Sequence, residues 1–589
     1  MESVIDPRKS LGKISKLQII LILLFFGLCV YSNAIFHPFV HDDVVFIEKN
    51  PLISTLDIKD IFFSPAPFSG SSDIANSYYR PLLDILYRIQ YQNFGKVAYK
   101  YHLFNIFLHV LNAYLVYLIL SFLLDEQMFA LFGSLLFLIH PVQSEAVSCI
   151  VGVSNLLYFL LCSMSFYLYL LAKKDAKSFK SSVCYLFSLM IFAVSLLAKE
   201  QAVVLPFIVI LYEICSWVYT DQDIKDDLGP CKIVFKGAGY FLVLLCYFYL
   251  RKAAVGSSLS ESFLINEELG LRILSIPRTI LLYVSLIFFP VGLHYYRNID
   301  ILQPFLMPTL FLSALIVVFL LIINSLKSTK QKFLAVFGTG FFFVSLLPVL
   351  NIVPIVNEYS FVLAADHFLY LPVFGMILFV IVVVKELLGK YNIYKRMIIA
   401  VLSFIVVILC AVTLRLNGFW ANEISIFERT VKYERNFGRG HQLLAKAYYF
   451  NGKFDMAISE YKKALGIMLS YVGKVQNAKA KIIYLDFVKE INFDLGICYQ
   501  GKRDYQSALR YFKNVSSLDP DDGAIHNNIG IVYVNLNDLD KAVEHFEIAY
   551  DMKKDDLMSM KNLALGYMKL GRAKEAERLF MRIQQINSK

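Results

Sequence analysis

The stretch MIIAVLSFIVVILCAVTLRLNGFW, residues 397–420, contains the transition on which the fold depends. From Met397 to Leu414 it carries no charged residue, and a run of this length approaches the roughly 20 apolar residues that a membrane-spanning helix needs. Similar apolar runs recur upstream, whereas the sequence after Leu416 has the polarity of a water-soluble protein. We therefore predict a membrane domain at residues 1–416 and a soluble domain at residues 417–589.

The composition of the whole chain agrees with a large membrane domain. Of its 589 residues, 57% are hydrophobic and 18% are charged, against about 25% charged residues in a typical soluble domain. The net charge of +10 is typical of basic cytoplasmic loops, so we do not interpret it as a nucleic-acid surface. Of nine cysteines only Cys498 lies in the soluble domain, which excludes a disulfide within that domain and argues against a zinc site there.

Basic loop residues orient the predicted spans, because Lys and Arg are enriched on the cytoplasmic side of membranes. Lysines before the first apolar run place the N-terminus inside, and the basic segments after the fourth, sixth, eighth and tenth spans then also fall inside. The polar segment 37–100 becomes a large external loop. The eleven predicted spans are Leu17–Phe36, Tyr101–Leu124, Met128–Ile139, Leu156–Leu171, Val183–Leu197, Ala202–Trp217, Ala238–Leu250, Leu306–Leu326, Phe333–Leu350, Phe368–Val384 and Met397–Leu414.

One further apolar segment, Ile273–Val291, contains Pro277 and Arg278 and is predicted to lie in the membrane interface. If it spanned the membrane, every later loop would change sides and the basic loops would no longer all be inside. With this segment in the interface, the C-terminal soluble domain is predicted to be extracytoplasmic.

The soluble domain contains an internal repeat with a period of 34 residues. Gly496, Gly530 and Ala564 are spaced by this period, as are Ala508, Ala542 and Ala576, and as are Phe512, Phe546 and Phe580. This is the period of the tetratricopeptide repeat, a helix–turn–helix unit that stacks into a solenoid with a concave groove. An earlier copy around Ala445 to Ala464 precedes an insertion around Gly466 to Ile482. The sequence therefore predicts an all-α protein in which a tetratricopeptide-repeat α-solenoid follows the membrane helices.

Ionisable residues concentrate on the predicted external side of the membrane domain, where such residues often mark function. Asp42 and Asp43 follow the first span, and Arg80 lies later in the same loop. The other members of this set lie near the outer ends of further spans. They are His41, His102, His140, Glu145, Lys199, Glu200, Arg297, Asp366, His367 and Tyr370.

These residue types suit transfer of a group from a lipid-linked phosphate donor. A carboxylate such as that of Asp42 deprotonates a hydroxyl, or with Asp43 binds a divalent cation such as Mg²⁺ or Mn²⁺. Cationic side chains such as Arg80 and Lys199 stabilise a leaving phosphate. A packed histidine, a solvated acidic turn or a snorkelling lysine would account for each residue alone, so the interpretation depends on the whole set.

The order of several short motifs resembles a known family. The motifs are FVHDD, SYYRPL, YHLFNIFLH, HPVQSEAV, LLAKEQ, FFPVGL and ADHFLYLP, followed by a Trp-led passage into the repeats. This order is similar to that of the transmembrane and tetratricopeptide-repeat-containing O-mannosyltransferases and their prokaryotic relatives, which belong to the GT-C glycosyltransferases. The resemblance covers nearly the whole chain and implies a polytopic GT-C fold of about eleven transmembrane helices.

The resemblance also implies an activity and residue roles. The donor would be a polyprenyl- or dolichyl-phosphate-linked sugar, with mannose favoured, and the acceptor a Ser or Thr hydroxyl of an exported polypeptide held in the repeat groove. Asp42 would be the general base of an inverting displacement, with Asp43 beside it. Arg80, Lys199 and Arg297 would bind the donor phosphate. The pocket would be lined by His41, His102, His140, Glu145, Glu200, Asp366, His367 and Tyr370.

The sequence also departs from the family and leaves alternatives open. After HPVQSEAV the family usually has a passage like GRADLL, but here Gly152 is followed by Val153, Ser154 and Asn155, without the arginine. His367 stands where arginine is more usual. Transfer of a lipid-linked glycan or cell-envelope polymer is one alternative, and a non-catalytic membrane scaffold is another. The short repeat array favours a prokaryotic plasma membrane over the endoplasmic reticulum.

Overall fold

The fold is described from a computed structural model. It describes residues 14–51, 53, 61–62, 79–174, 178–219, 230–255, 266–299, 304–350, 362–475 and 478–587. Arg8, Lys9 and Lys13, which oriented the first span, lie outside these residues, as does most of the external loop between Asn50 and Tyr79. The chain forms two compact units, Met1–Ile426 and Phe427–Lys589, so the division falls later than the predicted boundary after Leu416.

The first unit is a bundle of helices. Its helices in chain order, α1 to α15, are Lys16–Tyr31, Pro81–Phe94, Ala98–Leu124, Gln127–Ile139, Ser144–Ser148, Val153–Lys174, Phe179–Ala198, Leu205–Val218, Pro230–Val255, Asn266–Phe288, Leu306–Ser325, Thr329–Leu346, Pro372–Lys390, Lys395–Asn417 and Glu423–Tyr433, the last of which continues into the second unit.

Ten helices in the described residues are long and apolar enough to cross a membrane, or eleven if one bent pair counts as a span. The predicted number of about eleven spans is therefore confirmed, but the set of helices that form them differs from the predicted set. The segment Leu269–Phe288 is among the ten by length and composition, and it overlaps Ile273–Val291, which was predicted to lie in the interface. Helix α9, which contains the predicted span Ala238–Leu250, is not among them.

The predicted short span Met128–Ile139 is half of the bent pair. Helix α4 ends at Ile139, and the chain continues through the 3₁₀ turn Pro141–Gln143 into α5 at an angle of 48°. The bend occurs because Pro141 has no N–H to donate and restricts the preceding residue to extended backbone. His140 accordingly has φ −66° and ψ 127°.

A buried ion cluster marks one end of the bundle. Glu213, near the end of α8, is 1% exposed and accepts hydrogen bonds from Lys173 Nζ at 2.7 Å, Lys236 Nζ at 3.1 Å and the Tyr169 hydroxyl at 2.6 Å. At the same end, Lys330 at the start of α12 pairs with Asp125, which follows α3. We call this the basic end of the bundle and the opposite end the site end.

Two glycines allow α12 and α13 to pack with their backbones in contact. A Cβ added at Gly375 would collide with the carbonyl oxygen of Gly338 and would lie 2.8 Å from the backbone nitrogen of Phe342. Close approach through small residues is a common way for membrane helices to associate. Gly389, on the same helix α13, has no atom within 4 Å of the position that its Cβ would take.

We expect Gly375→Ala to lower the stability of the membrane unit by about 1–3 kcal/mol, because the methyl group must displace backbone atoms. Gly389→Ala is the matched control, and it should be neutral or slightly stabilising because alanine favours a helix over glycine. Thermal unfolding of the two purified variants in the same detergent checks this. Equal melting temperatures would contradict the packing role of Gly375.

The prediction of an all-α fold is confirmed except for one small ribbon. Strand β1, Arg297–Ile299, pairs antiparallel with β2, Val362–Ala364, with Arg297 opposite Ala364. The ribbon lies between α10 and α13 in sequence and holds Arg297 beside the 3₁₀ turn Asp366–Leu369.

The second unit is the predicted repeat domain. Its helices after α15, numbered α16 to α23, are Gly438–Phe450, Phe454–Lys474, Ala478–Gly501, Tyr505–Leu518, Gly523–Asn535, Leu539–Met552, Leu557–Lys569 and Ala573–Asn587. Gly496 and Gly530 occur at equivalent places, where a Cβ would collide with the rings of Phe512 and Phe546 respectively. The 34-residue period therefore reflects one glycine–phenylalanine contact repeated between paired helices.

Candidate active site

The acidic pair lies in a tight turn between α1 and a π-helical segment, Val44–Glu48. His41 has a φ of +48°, in the left-handed region. This conformation costs a non-glycine residue free energy and often occurs where function fixes the backbone. It is held here by a hydrogen bond of 3.0 Å from the His41 backbone N–H to a carboxylate oxygen of Glu423.

Asp43 points into the protein and is 0% exposed. Its carboxylate accepts hydrogen bonds from the backbone N–H of Val151 at 2.9 Å and that of Val40 at 3.3 Å. Burial raises the pKa of Asp43 to about 7, although these hydrogen bonds oppose the rise. Asp43 therefore connects the first loop to the segment around Val151 and does not face the solvent.

Asp42 occupies a different environment, although it is the adjacent residue. Protein atoms surround its carboxylate, yet 39% of its side chain remains accessible. Burial by itself raises the pKa of Asp42, but His41, whose Nδ1 lies 2.9 Å from Oδ1, and then His367 and the Tyr295 hydroxyl lower it below its usual value. Asp42 is therefore an accessible carboxylate that stays ionised.

Two further charge pairs lie in the same part of the site end. His367 Nδ1 lies 2.8 Å from Oε1 of Glu145, and the His367 backbone N–H donates to Oε2 at 2.9 Å. Arg297 forms a buried ion pair with Asp366 and donates to the carbonyl oxygen of Gly292 at 3.1 Å. Arg297 is therefore engaged by protein partners, and its predicted contact with the donor phosphate stays a prediction.

Arg80 and Lys199 form a second cluster. Arg80 donates two hydrogen bonds to the carboxylate of Glu200, one of them 2.8 Å from Nε to Oε2. Lys199, which is 4% exposed, donates from Nζ to the amide oxygen of Asn155 at 2.6 Å. Burial, and then the nearby Arg80, lower the pKa of Lys199 to about 7. Of the two cations, Lys199 is the one that no carboxylate contacts directly.

The two clusters are within electrostatic range of each other. His367 acts on Asp42, and its partner Glu145 acts on Lys199. These two influences connect the accessible carboxylate of Asp42 with the buried Lys199.

Three of the predicted pocket residues contact other groups of the membrane unit. His102 Nε2 contacts the carbonyl oxygen of His37 at 3.2 Å. His140 lies 3.0 Å through Nε2 from the carbonyl oxygen of Ile287 and accepts from Val142 N–H through Nδ1. Tyr370 is fully buried, and its hydroxyl contacts His109 Nδ1 at 2.7 Å and Asn112 Nδ2 at 3.0 Å. His140 and Tyr370 therefore use their polar side-chain atoms within the protein, whereas His102 Nδ1 is buried without a hydrogen-bond partner among the described residues. All three side chains are buried.

The described residues contain no group of three or more His, Cys, Asp and Glu side chains that could hold a metal ion. The two carboxylates of the acidic pair also have different surroundings, because that of Asp43 contacts backbone N–H groups. The predicted joint binding of a divalent cation by Asp42 and Asp43 is therefore not supported by their arrangement.

Sequence reasoning missed three residues at this site. Tyr295 contacts Asp42 and packs its ring against those of His41 and Trp420, at 5.2 and 6.1 Å between centroids. Asn155 was noted only as a departure from the family pattern, but it is the partner of Lys199. Asp84, one helical turn after Arg80, is 7% exposed. The four-residue spacing between Arg80 and Asp84 is the one signal in the sequence that could have identified Asp84.

The chain matches the family described as Tetratricopeptide repeat at residues 438–467 and 493–556. It is similar to Protein O-mannosyl-transferase F38B6.6 from Caenorhabditis elegans, with 22% identity over 473 residues, 79% of this chain and 64% of the relative. It is also similar to Protein O-mannosyl-transferase TMTC3 from Homo sapiens, with 28% identity over 220 residues, 37% of this chain and 21% of the relative.

These relatives and the repeats confirm the resemblance to the TMTC-type protein O-mannosyltransferases. The chain spans less than two thirds of the length of these relatives. Among solved structures, the crystal structure of MamA covers 28% of this chain and 86% of its own chain at 19% identity, with a TM-score of 0.24. A score this low supports no conclusion about the fold.

Proposed function

We propose that this protein is an inverting membrane glycosyltransferase that moves mannose or another hexose from a polyprenyl- or dolichyl-phosphate donor to Ser or Thr hydroxyls of exported proteins. The observation that carries the proposal is the contrast within the acidic pair. Asp42 is accessible and ionised while Asp43 is buried among backbone N–H groups. The names of the relatives supply the reaction class.

In the proposed mechanism Asp42 accepts the proton of the acceptor hydroxyl as that oxygen attacks the anomeric carbon of the sugar. The bond between that carbon and the phosphate oxygen breaks from the opposite face, which inverts the anomeric configuration. The electron pair leaves with the lipid phosphate, which is stable as an anion and needs no general acid. His41 and Tyr295 fix the position of the Asp42 carboxylate.

Lys199 is the residue proposed to bind the leaving phosphate. It has one hydrogen-bond partner in the described structure, the neutral amide of Asn155, so two of its three N–H donors remain for phosphate oxygens. Arg80 contributes its positive charge while Glu200 fixes the position of its guanidinium. A preorganised cation in a water-poor site stabilises developing negative charge more strongly than it would in water.

The proposal requires the site end to face away from the cytoplasm and the basic end to face it. Helix α9 runs from the basic end, where Lys236 contacts Glu213, to the site end, where the ring of Tyr247 lies 6.2 Å from that of Tyr79. Helix α11 ends just before α12, and α12 begins at the basic end. Helix α11 therefore runs from the site end to the basic end, opposite to α9.

The chain between α9 and α11 must therefore cross the membrane an even number of times. This supports an interfacial position for α10 despite its apolar length. With α10 in the interface the repeats are extracytoplasmic, as predicted from the sequence.

The repeats are proposed to bind the acceptor polypeptide, as stacked repeats commonly bind peptides. Deleting residues 438–589 should reduce transfer to a folded exported protein at least about tenfold, because an intramolecular binding site raises the effective concentration of the acceptor. Donor binding by the remaining membrane unit should be unchanged. Full transfer by the truncated protein would instead favour a lipid-linked glycan as the acceptor.

The experiment that tests the activity uses purified full-length protein with radiolabelled polyprenyl-phosphate mannose and a Ser/Thr-rich acceptor polypeptide. Transfer of label to serine or threonine, located by mass spectrometry, is the expected result. Transfer only to lipid or glycan would identify the alternative reaction, and no transfer from any polyprenyl-phosphate hexose would favour a non-catalytic scaffold.

A further inference from the structure

Helix α2 carries a polar buried face formed by Asp84, Tyr87 and Gln90, three side chains that the proposed mechanism does not use. Arg80 precedes the helix, and Asp84, Tyr87 and Gln90 follow at spacings of four, three and three residues, which places them along one side. Asp84 is 7% exposed and Gln90 is 2% exposed. A polar helix face that is buried normally finds hydrogen-bond partners within the protein.

Two of these side chains, those of Asp84 and Gln90, have no hydrogen-bond partner among the described residues. The carboxylate of Asp84 has no hydrogen bond within the described part of the chain, and its strongest electrostatic neighbour is Arg80. Arg80 directs its guanidinium to Glu200 instead. Both amide atoms of Gln90 are also buried without a partner among the described residues. Leaving such groups unsatisfied destabilises a protein, so the arrangement favours a ligand that supplies both donors and acceptors.

The position of Asp84 indicates which ligand this is. Arg80, at one end of the face, lies beside Lys199. Tyr87, at the other, lies near Asp43 and donates to the carbonyl oxygen of Val151, whose N–H binds Asp43. Asp84 therefore lies between the cations proposed to hold the donor phosphate and the loop of the acidic pair. The sugar of the donor must occupy the space between the leaving phosphate and the base.

We propose that Asp84 accepts hydrogen bonds from hydroxyl groups of the donor sugar and helps to select that sugar. This inference rests on the proposed function. A carboxylate accepts hydrogen bonds from sugar hydroxyl groups, and the directions of these hydroxyl groups differ between epimers. A sugar whose hydroxyl group does not reach the carboxylate leaves that carboxylate buried and unpaired, so the site discriminates strongly against it. Gln90, which both donates and accepts, is suited to further hydroxyl groups of the same sugar.

The structural alternative is that Asp84 only stabilises the N-terminus of α2, where a negative charge is favourable. The two explanations differ in what Asp84→Asn changes. A helix-end charge alters stability and leaves the choice of sugar unchanged. A sugar-binding carboxylate alters the donor KM and the preference between sugars, and its removal need not lower stability, because an unpaired buried carboxylate is itself unfavourable.

The test measures transfer by full-length protein from polyprenyl-phosphate mannose and polyprenyl-phosphate glucose, which differ only at C2. For Asp84→Asn we expect the donor KM to rise at least about tenfold and the preference between the two sugars to fall by a similar factor, with kcat changed less. Asp125→Asn, an equivalent substitution at the exposed basic end, should leave the KM and the preference unchanged.

A second measurement uses the unaltered protein with donors that each lack one sugar hydroxyl. At least one deoxy donor should show a raised KM, and the same deoxy donor should cause little further loss in Asp84→Asn, because the variant has already lost that interaction. Asp84 does not bind the sugar if no deoxy donor shows a raised KM. The same conclusion follows if the effect of the missing hydroxyl on KM and the effect of Asp84→Asn are independent of each other. Absence of transfer by the unaltered protein from every polyprenyl-phosphate hexose would instead refute the proposed function.

Discussion

Asp42→Asn should reduce sugar transfer by about 10²–10⁴-fold, the contribution expected of a general base. The amide has nearly the same size as the carboxylate and still accepts a hydrogen bond, so the contacts with His41 and Tyr295 should keep their geometry. It cannot accept the proton of the acceptor hydroxyl. The donor KM should therefore change little while kcat falls, which a steady-state assay with labelled polyprenyl-phosphate mannose measures.

The neighbouring variant Asp43→Asn distinguishes catalysis from structural support. In this variant the single amide oxygen replaces one of the two carboxylate oxygens that accept from the backbone N–H groups of Val151 and Val40. The NH₂ group then faces the other N–H donor, so we expect a lower melting temperature. Transfer per folded molecule should fall much less than in Asp42→Asn. Retention of near wild-type kcat by Asp42→Asn, or a larger loss of kcat in folded Asp43→Asn, would reverse the roles assigned to the two residues.

The parts of the fold that follow from local sequence were predictable. Apolar runs predicted most of the spans, because membrane helices satisfy their backbone hydrogen bonds within one segment. The 34-residue period predicted the repeats, because each repeat makes the same contact, such as that of Gly496 with Phe512. The ribbon of Arg297–Ile299 with Val362–Ala364 has no comparable signal, since each strand is three residues long.

The site was predictable as a set of residues but not as a set of contacts. Arg80 and Glu200 are 120 positions apart, so their ion pair has no signature in the sequence. Asp42 and Asp43 are indistinguishable from composition, and the left-handed backbone of His41 helps to set which of the two side chains is accessible. Tyr370 follows the charged motif closely, yet its hydroxyl is used by His109 in the helix core.

Lys199→Gln should reduce transfer by about 10²–10³-fold, comparable to the removal of one donor from an oxyanion site. The glutamine amide can still contact Asn155, but it carries no charge for the leaving phosphate. Both kcat and donor affinity should fall, because the phosphate is bound in the ground state and gains charge in the transition state. Lys330→Gln removes a lysine at the exposed basic end and should leave transfer unchanged.

The pH dependence of transfer gives Lys199 a signature that a structural lysine would lack. Because burial lowers the pKa of Lys199 to about 7, the protonated form dominates below this pH and is lost as the pH rises through it. The value of kcat/KM, which reports groups of the free enzyme, should therefore fall above about pH 7. Lys199→Arg keeps its charge to beyond pH 12, so any transfer that it retains should lack this alkaline decline. An identical decline in the arginine variant would mean that another group titrates and that Lys199 does not act through its charge.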